Sequence, residues 1–238
     1  GCSAVHIGMF GFESMVRYGT QEMKEKYFPR VVTGELHVSF AVTEPDAGTD
    51  TLNMTTFARK VEGGFLLSGK KTWITKAQEA ERMFILARTQ PLSEVSKRTD
   101  GLTMFFAPMD RKSIEIRPIK KMGRNAIDTN ELFIDDLFVS DEDVIGEVGK
   151  GFRAIMVGLN AERVVAANAA LGIGKASIRL ATQYANDRVV FGRPIGQNQA
   201  ISHQIALAQI RVDAAEAICQ KAAWMVDQDI PCGKEANE

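Results

Sequence analysis

The chain has 238 residues, 45% of them hydrophobic and 25% charged, with 29 Lys+Arg against 30 Asp+Glu and a net charge of −1. That length exceeds the roughly 100–200 residues usual for one domain and buries a core without staples, and the composition excludes wholesale disorder. Near-neutrality gives no basic footprint for nucleic acid, no uninterrupted apolar run approaches the ~20 residues of a membrane span, and scattered Cys2, Cys219 and Cys232 form no disulfide framework or zinc site, so an intracellular soluble protein is expected.

No leader or targeting segment is visible at Gly1, and the opening reads as helical material. Thr20 is the expected N-cap of a helix reaching about Val32 before Gly34, with Pro29 shortening or kinking its last turn. Residues 1–35 are read as the end of a helical domain. Residues 36–148 change character: Leu36–Val42, Thr55–Val61, Phe65–Ser68, Met83–Thr89, Leu102–Ala107, Ile114–Ile119 and Glu131–Val139 are short strand-like runs separated by Gly, Pro, Asp and Ser clusters. Glu62-Gly63-Gly64 marks a hairpin, and the whole suggests an antiparallel barrel or sandwich. From Gly149-Lys150-Gly151 the period becomes helical. Phe152, Ile155, Leu159, Ala166, Ala169, Ile173, Leu180 and Tyr184 form one stripe, and Ile201, Ile205, Ala208, Val212, Ala215, Cys219 and Ala222 a second, joined by a loop at Phe191–Gly196. Residues 149–238 therefore read as the first half of an up-down helical bundle. The fold class is α+β, and both ends read as cut edges of a larger protein.

Four stretches carry polar chemistry. Phe40-Ala-Val-Thr-Glu-Pro-Asp-Ala-Gly-Thr-Asp50 runs a strand into a turn where Gly48 admits a close ligand and Thr43 and Thr49 offer donors; the same residues also suit an ordinary turn with local Asx-type bonds. Gly69-Lys-Lys-Thr-Trp-Ile-Thr-Lys76 places Trp73 to lie on a flat ring beside Thr75, or to be a core aromatic. Arg188-Val-Val-Phe-Gly-Arg-Pro-Ile-Gly-Gln-Asn-Gln199 offers a forked cation and a helix N-terminus to a pyrophosphate, or is a capped helix–helix turn. Glu162 falls on the apolar stripe of the first long helix, where burial would raise its pKa and make it a base; an ion pair with a neighbouring helix is the other reading. No GxGxxG, Walker, HExxH or GxSxG motif occurs, and no metal site is expected.

Taken in order, Phe40–Asp50, Trp73-Ile-Thr75, Met122-Gly-Arg with Glu131-Leu-Phe, Gly149-Lys-Gly-Phe152 and Arg188, Phe191-Gly and Gln199 resemble the acyl-CoA dehydrogenase family of flavoenzymes. The resemblance implies an N-terminal helical domain, a middle β domain and a C-terminal four-helix bundle, with FAD lying between the last two. It implies that Phe40, Val42, Thr43, Trp73, Ile74 and Thr75 hold the isoalloxazine ring, and that Gly48 and Thr49 lie near the FAD pyrophosphate and the acyl-CoA chain. Arg188, Phe191 and Gln199 would reach the FAD of a neighbouring subunit in a homo-oligomer, a dimer or tetramer, and Asn160 and Arg163 would contact CoA. Thr49 stands where relatives have Ser. The implied reaction is α,β-dehydrogenation of an acyl-CoA, with electrons passed to an electron-transferring flavoprotein. Glu162-Arg163 resembles the pair that carries the base in isovaleryl- and long-chain-type members. An acyl-CoA oxidase and a non-catalytic flavin- or acyl-CoA-binding subunit are the alternatives. The implied location is cytoplasm in a bacterium or mitochondrial matrix in a eukaryote, with no nucleic-acid partner and no membrane insertion.

Overall fold

The structure, a computed structural model, describes residues 11–238; Cys2 and the helical material expected over 1–10 lie outside them. It divides into two compact units, the first ending at Gly158 and the second running Leu159–Glu238.

In the first unit, helices α1 (Phe12–Tyr18) and α2 (Gln21–Val32) come first. Thr20 is the expected N-cap, its hydroxyl accepting from Met23 N at 3.2 Å. Pro29 does not shorten α2, which continues to Val32. Proline removes one helical hydrogen bond, to the carbonyl of Glu25, and both residues lie on the exposed side where water can replace it.

Eight strands follow: β1 (Val38–Ala41), β2 (Phe57–Val61), β3 (Gly64–Thr75), β4 (Arg82–Arg88), β5 (Leu102–Pro108), β6 (Ile114–Pro118), β7 (Thr129–Ser140) and β8 (Val144–Ile145). Their order is β6-β7-β3-β2-β4-β5-β8, with β1 paired to β4. The sheet is sandwich-like with no closed barrel. It is also mixed, not purely antiparallel, because β1 and β2 both run parallel to β4. Strand direction leaves no mark on side-chain alternation; it follows from the order in which the chain lays the strands down, with residues 42–56 joining β1 to β2 and residues 76–81 carrying the chain from β3 past β2 to β4.

β4 and β5 are buried on both faces, which is why they read as unbroken apolar runs. Met83, Ile85, Phe105 and Ala107 join the main core with Phe65, Leu67, Leu132 and Val139. Phe84 and Phe106 face the other way. Phe12 of α1 meets Phe84 edge-on with ring centroids 5.0 Å apart, and Tyr27 of α2 meets Phe106 at 4.8 Å. These ring contacts seat the N-terminal helices on the sheet.

The second unit contains most of α3 (Gly151–Asp187), a two-stranded ribbon of β9 (Val189–Val190) and β10 (Arg193–Pro194), and α4 (Gln199–Asp227). Gly196, just before α4, lies against Ala185 near the end of α3, and Gly174, farther back on α3, faces Val212, farther along α4, so the helices run antiparallel. Their stripes are only partly covered. Ile155 is buried, whereas Ile173, Leu180 and Tyr184 are 70%, 58% and 62% exposed. Two helices cannot bury four faces, and between them lies an apolar cleft of about 410 Å³ lined by Val164, Ala167, Leu171, Val212 and Cys219. Among the described residues, α3 is the one helix long and apolar enough by length and composition to cross a membrane. Its interior charges, Glu162, Arg163, Lys175 and Arg179, oppose that, since a charge at a bilayer centre costs roughly 2.5–3.5 kcal/mol even by lenient scales.

Candidate functional site

Two stretches singled out separately by sequence form one edge of the first unit. After β1 the chain turns through Glu44–Ala47, whose main chains bond reciprocally at 3.2 Å. Glu44 is nearly fully buried. Its carboxylate accepts from Thr55 N at 2.6 Å, Thr55 Oγ1 at 2.9 Å, Thr56 N at 3.0 Å and Lys71 Nζ at 2.9 Å. Lys71, on β3, also donates to Val42 O at 3.0 Å and Leu86 O at 2.8 Å, so its three N–H groups are all used. Burial disfavours the Glu44 charge, but Lys71 and the Thr55 and Thr56 donors outweigh it and hold the carboxyl at about 2. Burial lowers Lys71 to about 8 against the pull of Glu44.

The next residue of β3 joins the two stretches directly, Thr72 N donating to Thr43 O at 2.9 Å. The β3–β7 register slips there: Lys71 faces Leu132 and Ile74 faces Asn130, so Thr72 and Trp73 together oppose Glu131. This bulge turns Trp73 outward at φ 62, with the indole 61% exposed. The core-aromatic reading of Trp73 is therefore wrong for this chain. Phe40, Val42, Thr43 and Thr75 are half-buried around the same edge. Gly11, at φ 91, gives Phe40 its room, since a Cβ there would lie 2.8 Å from the ring. Ile74 differs from expectation. Its side chain is in the core, Asn130 Nδ2 donates to its carbonyl at 3.0 Å, and its main chain faces Asn130 in the β3–β7 ladder. Gly48 and Thr49 are exposed, and a Cβ at Gly48 would meet nothing within 4 Å. An outward indole beside threonine hydroxyls, with open backbone at the turn, fits a planar ring carrying a polar tail.

In the second unit Asn160, Glu162 and Arg163 share one turn of α3, with Arg163 donating to Asn160 Oδ1 at 2.9 Å. Glu162 is half-buried, not enclosed as the stripe suggested. The loop after α3 is a ribbon, not an irregular turn. Val190 pairs with Arg193 across Phe191 and Gly192, at φ 52 and 78, as in a type I′ turn. Phe191 is fully exposed at its tip, Arg188 is exposed at its base, and Gln199 opens α4. No group able to hold a metal occurs among the described residues.

The Glu44–Lys71 pair escaped the sequence reading, because Lys70-Lys71 looks like a solvated charge run. Alternation could have found it: Phe65, Leu67 and Lys71 share the inward face of β3.

Two family models match the chain, acyl-CoA dehydrogenase, middle domain, over residues 39–137, and acyl-CoA dehydrogenase, C-terminal domain, over residues 149–237. The mitochondrial isovaleryl-CoA dehydrogenase of Solanum tuberosum is 36% identical over 81% of this chain and 46% of its own length. The crystal structure of the prolyl acyl carrier protein oxidase AnaB superposes with a TM-score of 0.87 at 30% identity, covering 94% of this chain and 58% of that one. A structure of PigA with FAD and proline gives 0.90 at 28% identity, covering 98% and 60%. The fold and edge define a flavoenzyme-type α+β protein. The chain belongs to the acyl-CoA dehydrogenase family. It spans about half the length of the curated relatives it matches.

Proposed function

We propose that this chain carries the cofactor- and thioester-handling core of an FAD-dependent acyl-CoA dehydrogenase. The observation that carries the reading is the Thr72–Trp73 bulge, which holds an exposed indole beside Thr43 through the 2.9 Å Thr72 N–Thr43 O bond. Family membership and the likeness to PigA with FAD support the cofactor. Phe40, Val42, Thr43, Trp73 and Thr75 hold the ring, Ile74 anchors that stretch of β3 in the core, and Gly48 and Thr49 leave room for the pyrophosphate and the acyl chain. Asn160 and Arg163 bind CoA.

FAD, when bound, supplies a hydride acceptor for the substrate's β-carbon. Glu162 takes the α-hydrogen as a proton onto its carboxylate, and the C–H electrons become the new Cα=Cβ bond as hydride leaves Cβ. An α-C–H is a poor acid, so the base must be desolvated and the thioester oxygen hydrogen-bonded. A half-buried Glu162 gains that dryness only once an acyl chain covers it. Arg188, Phe191 and Gln199 extend toward the FAD of a second copy, in a dimer or tetramer. The family resemblance supports an electron-transferring flavoprotein as electron acceptor.

Anaerobic titration of the FAD-loaded full chain with acyl-CoAs of graded length tests this reading. Bleaching of the flavin band is expected, and a yellow protein that no acyl-CoA bleaches would be a binding subunit instead. The likeness to AnaB favours a second reading, an oxidase using O2. Rapid reoxidation of the reduced protein in air would select it.

A further inference from the structure

We propose that the buried Lys71–Glu44 pair is a positioning element that sets the register of the flavin-holding edge. The inference rests on the assignment of Val42, Thr43 and Trp73 to the ring. The side chains are 0% and 3% exposed and meet at 2.9 Å. Their bonds reach four separate segments: the turn after β1 through Val42 and Glu44, the entry to β2 through Thr55 and Thr56, β3 through Lys71 itself, and β4 through Leu86.

A pair so placed is an expensive way to fill a core, since similar-sized apolar residues often do as well for stability. What apolar residues cannot do is choose which carbonyl each segment presents. Lys71 holds the Val42 carbonyl from beneath, and the neighbouring Thr72 N–H holds the Thr43 carbonyl. Both residues that face the ring from the turn are thereby fixed by consecutive residues of β3. The strand then bulges at once, with Trp73 at positive φ. A one-residue slip of the turn against β3 would move Thr43 away from Trp73. Neither Lys71 nor Glu44 is accessible to substrate or cofactor, so they act through Val42, Thr43 and Trp73.

The test uses the full chain with Lys71→Met, and Lys71→Met combined with Glu44→Gln, which removes both charges together. Three readouts are taken: the urea midpoint, the FAD dissociation constant by fluorescence titration, and the visible circular dichroism of bound flavin. The single variant, with one buried charge left alone, is expected to lose stability or fail to fold. The double variant is expected to unfold near the wild-type midpoint yet bind FAD at least about tenfold more weakly, with an altered flavin dichroism band. A double variant with wild-type midpoint, affinity and dichroism would overturn the inference. So would one that does not fold, because the pair would then be holding the domain together. A wild-type chain that takes up no FAD would overturn the functional reading itself, and the two failures are thus distinct.

Discussion

Trp73 is turned out of its own strand by the residue before it: Thr72 gives its N–H to Thr43 O at 2.9 Å instead of to β7, and the indole leaves the sheet at φ 62. A bulky side chain at positive φ costs on the order of 1–3 kcal/mol and persists only where the surroundings impose it.

That cost makes Trp73→Gly informative. Glycine adopts the bulge geometry without strain, and the lost indole is mostly exposed, so the melting temperature should hold or rise. FAD affinity should fall at least about tenfold, read by fluorescence titration. A melting temperature lowered by several degrees would show that the ring packs against the protein rather than against a ligand.

The buried pair predicts an acid limit. Glu44 is lowered from an ordinary 4.5 to about 2, so its folded pKa lies below its unfolded one. Its stabilisation is fully present above about pH 4.5 and drains away as pH falls toward 2. Urea midpoints from pH 6 down to pH 2 should fall less steeply in Lys71→Met/Glu44→Gln than in wild type. Parallel curves would mean that the carboxylate contributes nothing specific.

Much of this was legible in the chain. Thr20 announces α2, and the paired stripes of α3 and α4 announce two long helices. The apolar runs at Met83–Ala87 and Leu102–Ala107 mark strands, and the Thr-Glu-Pro and Lys-Thr-Trp stretches, singled out separately, meet at one edge. What was not legible depends on partners far away in sequence. The parallel pairing of β1 and β2 with β4 is decided by other segments and no local pattern records it; alternation along β3 places Lys71 inward but does not name Glu44 as its partner. The exposure of Ile173 and Leu180 likewise follows from how much surface two helices can cover, not from their own sequence.

Gly151 offers a test of packing free of any ligand. It opens α3 against β5, and a Cβ there would lie 2.3 Å from Met104 N and 2.6 Å from the Thr103 carbonyl carbon. Gly→Ala in an open helix gains up to about 1 kcal/mol. Here both neighbours are backbone of a buried strand and cannot yield, so overpacking of about 1–3 kcal/mol should win. A lower urea midpoint for Gly151→Ala is expected, and a higher one would mean that α3 can shift away from β5.

Glu162→Gln separates chemistry from binding. The amide keeps the size and half-buried setting of the side chain but cannot take a proton. Fold and FAD content should be unchanged, while anaerobic stopped-flow reduction by acyl-CoA slows roughly 10²–10⁴-fold, the usual worth of a general base. Near-normal reduction would move the base to another carboxylate.

The ribbon tip bears on assembly. Phe191 holds a positive φ in a type I′ turn that Asn or Gly would adopt more readily, yet its ring is fully exposed. Under the proposed function this exposed ring serves the FAD of a second copy. Arg188→Ala and Phe191→Ala should leave the unfolding free energy of the dissociated chain within about 0.5 kcal/mol of wild type, as for ordinary surface changes. Both should lower retained FAD and native mass together, measured by absorbance and light scattering on the same column peak. Flavin loss with mass unchanged would place these residues at the cofactor of their own chain, and unchanged flavin and mass would remove them from the site.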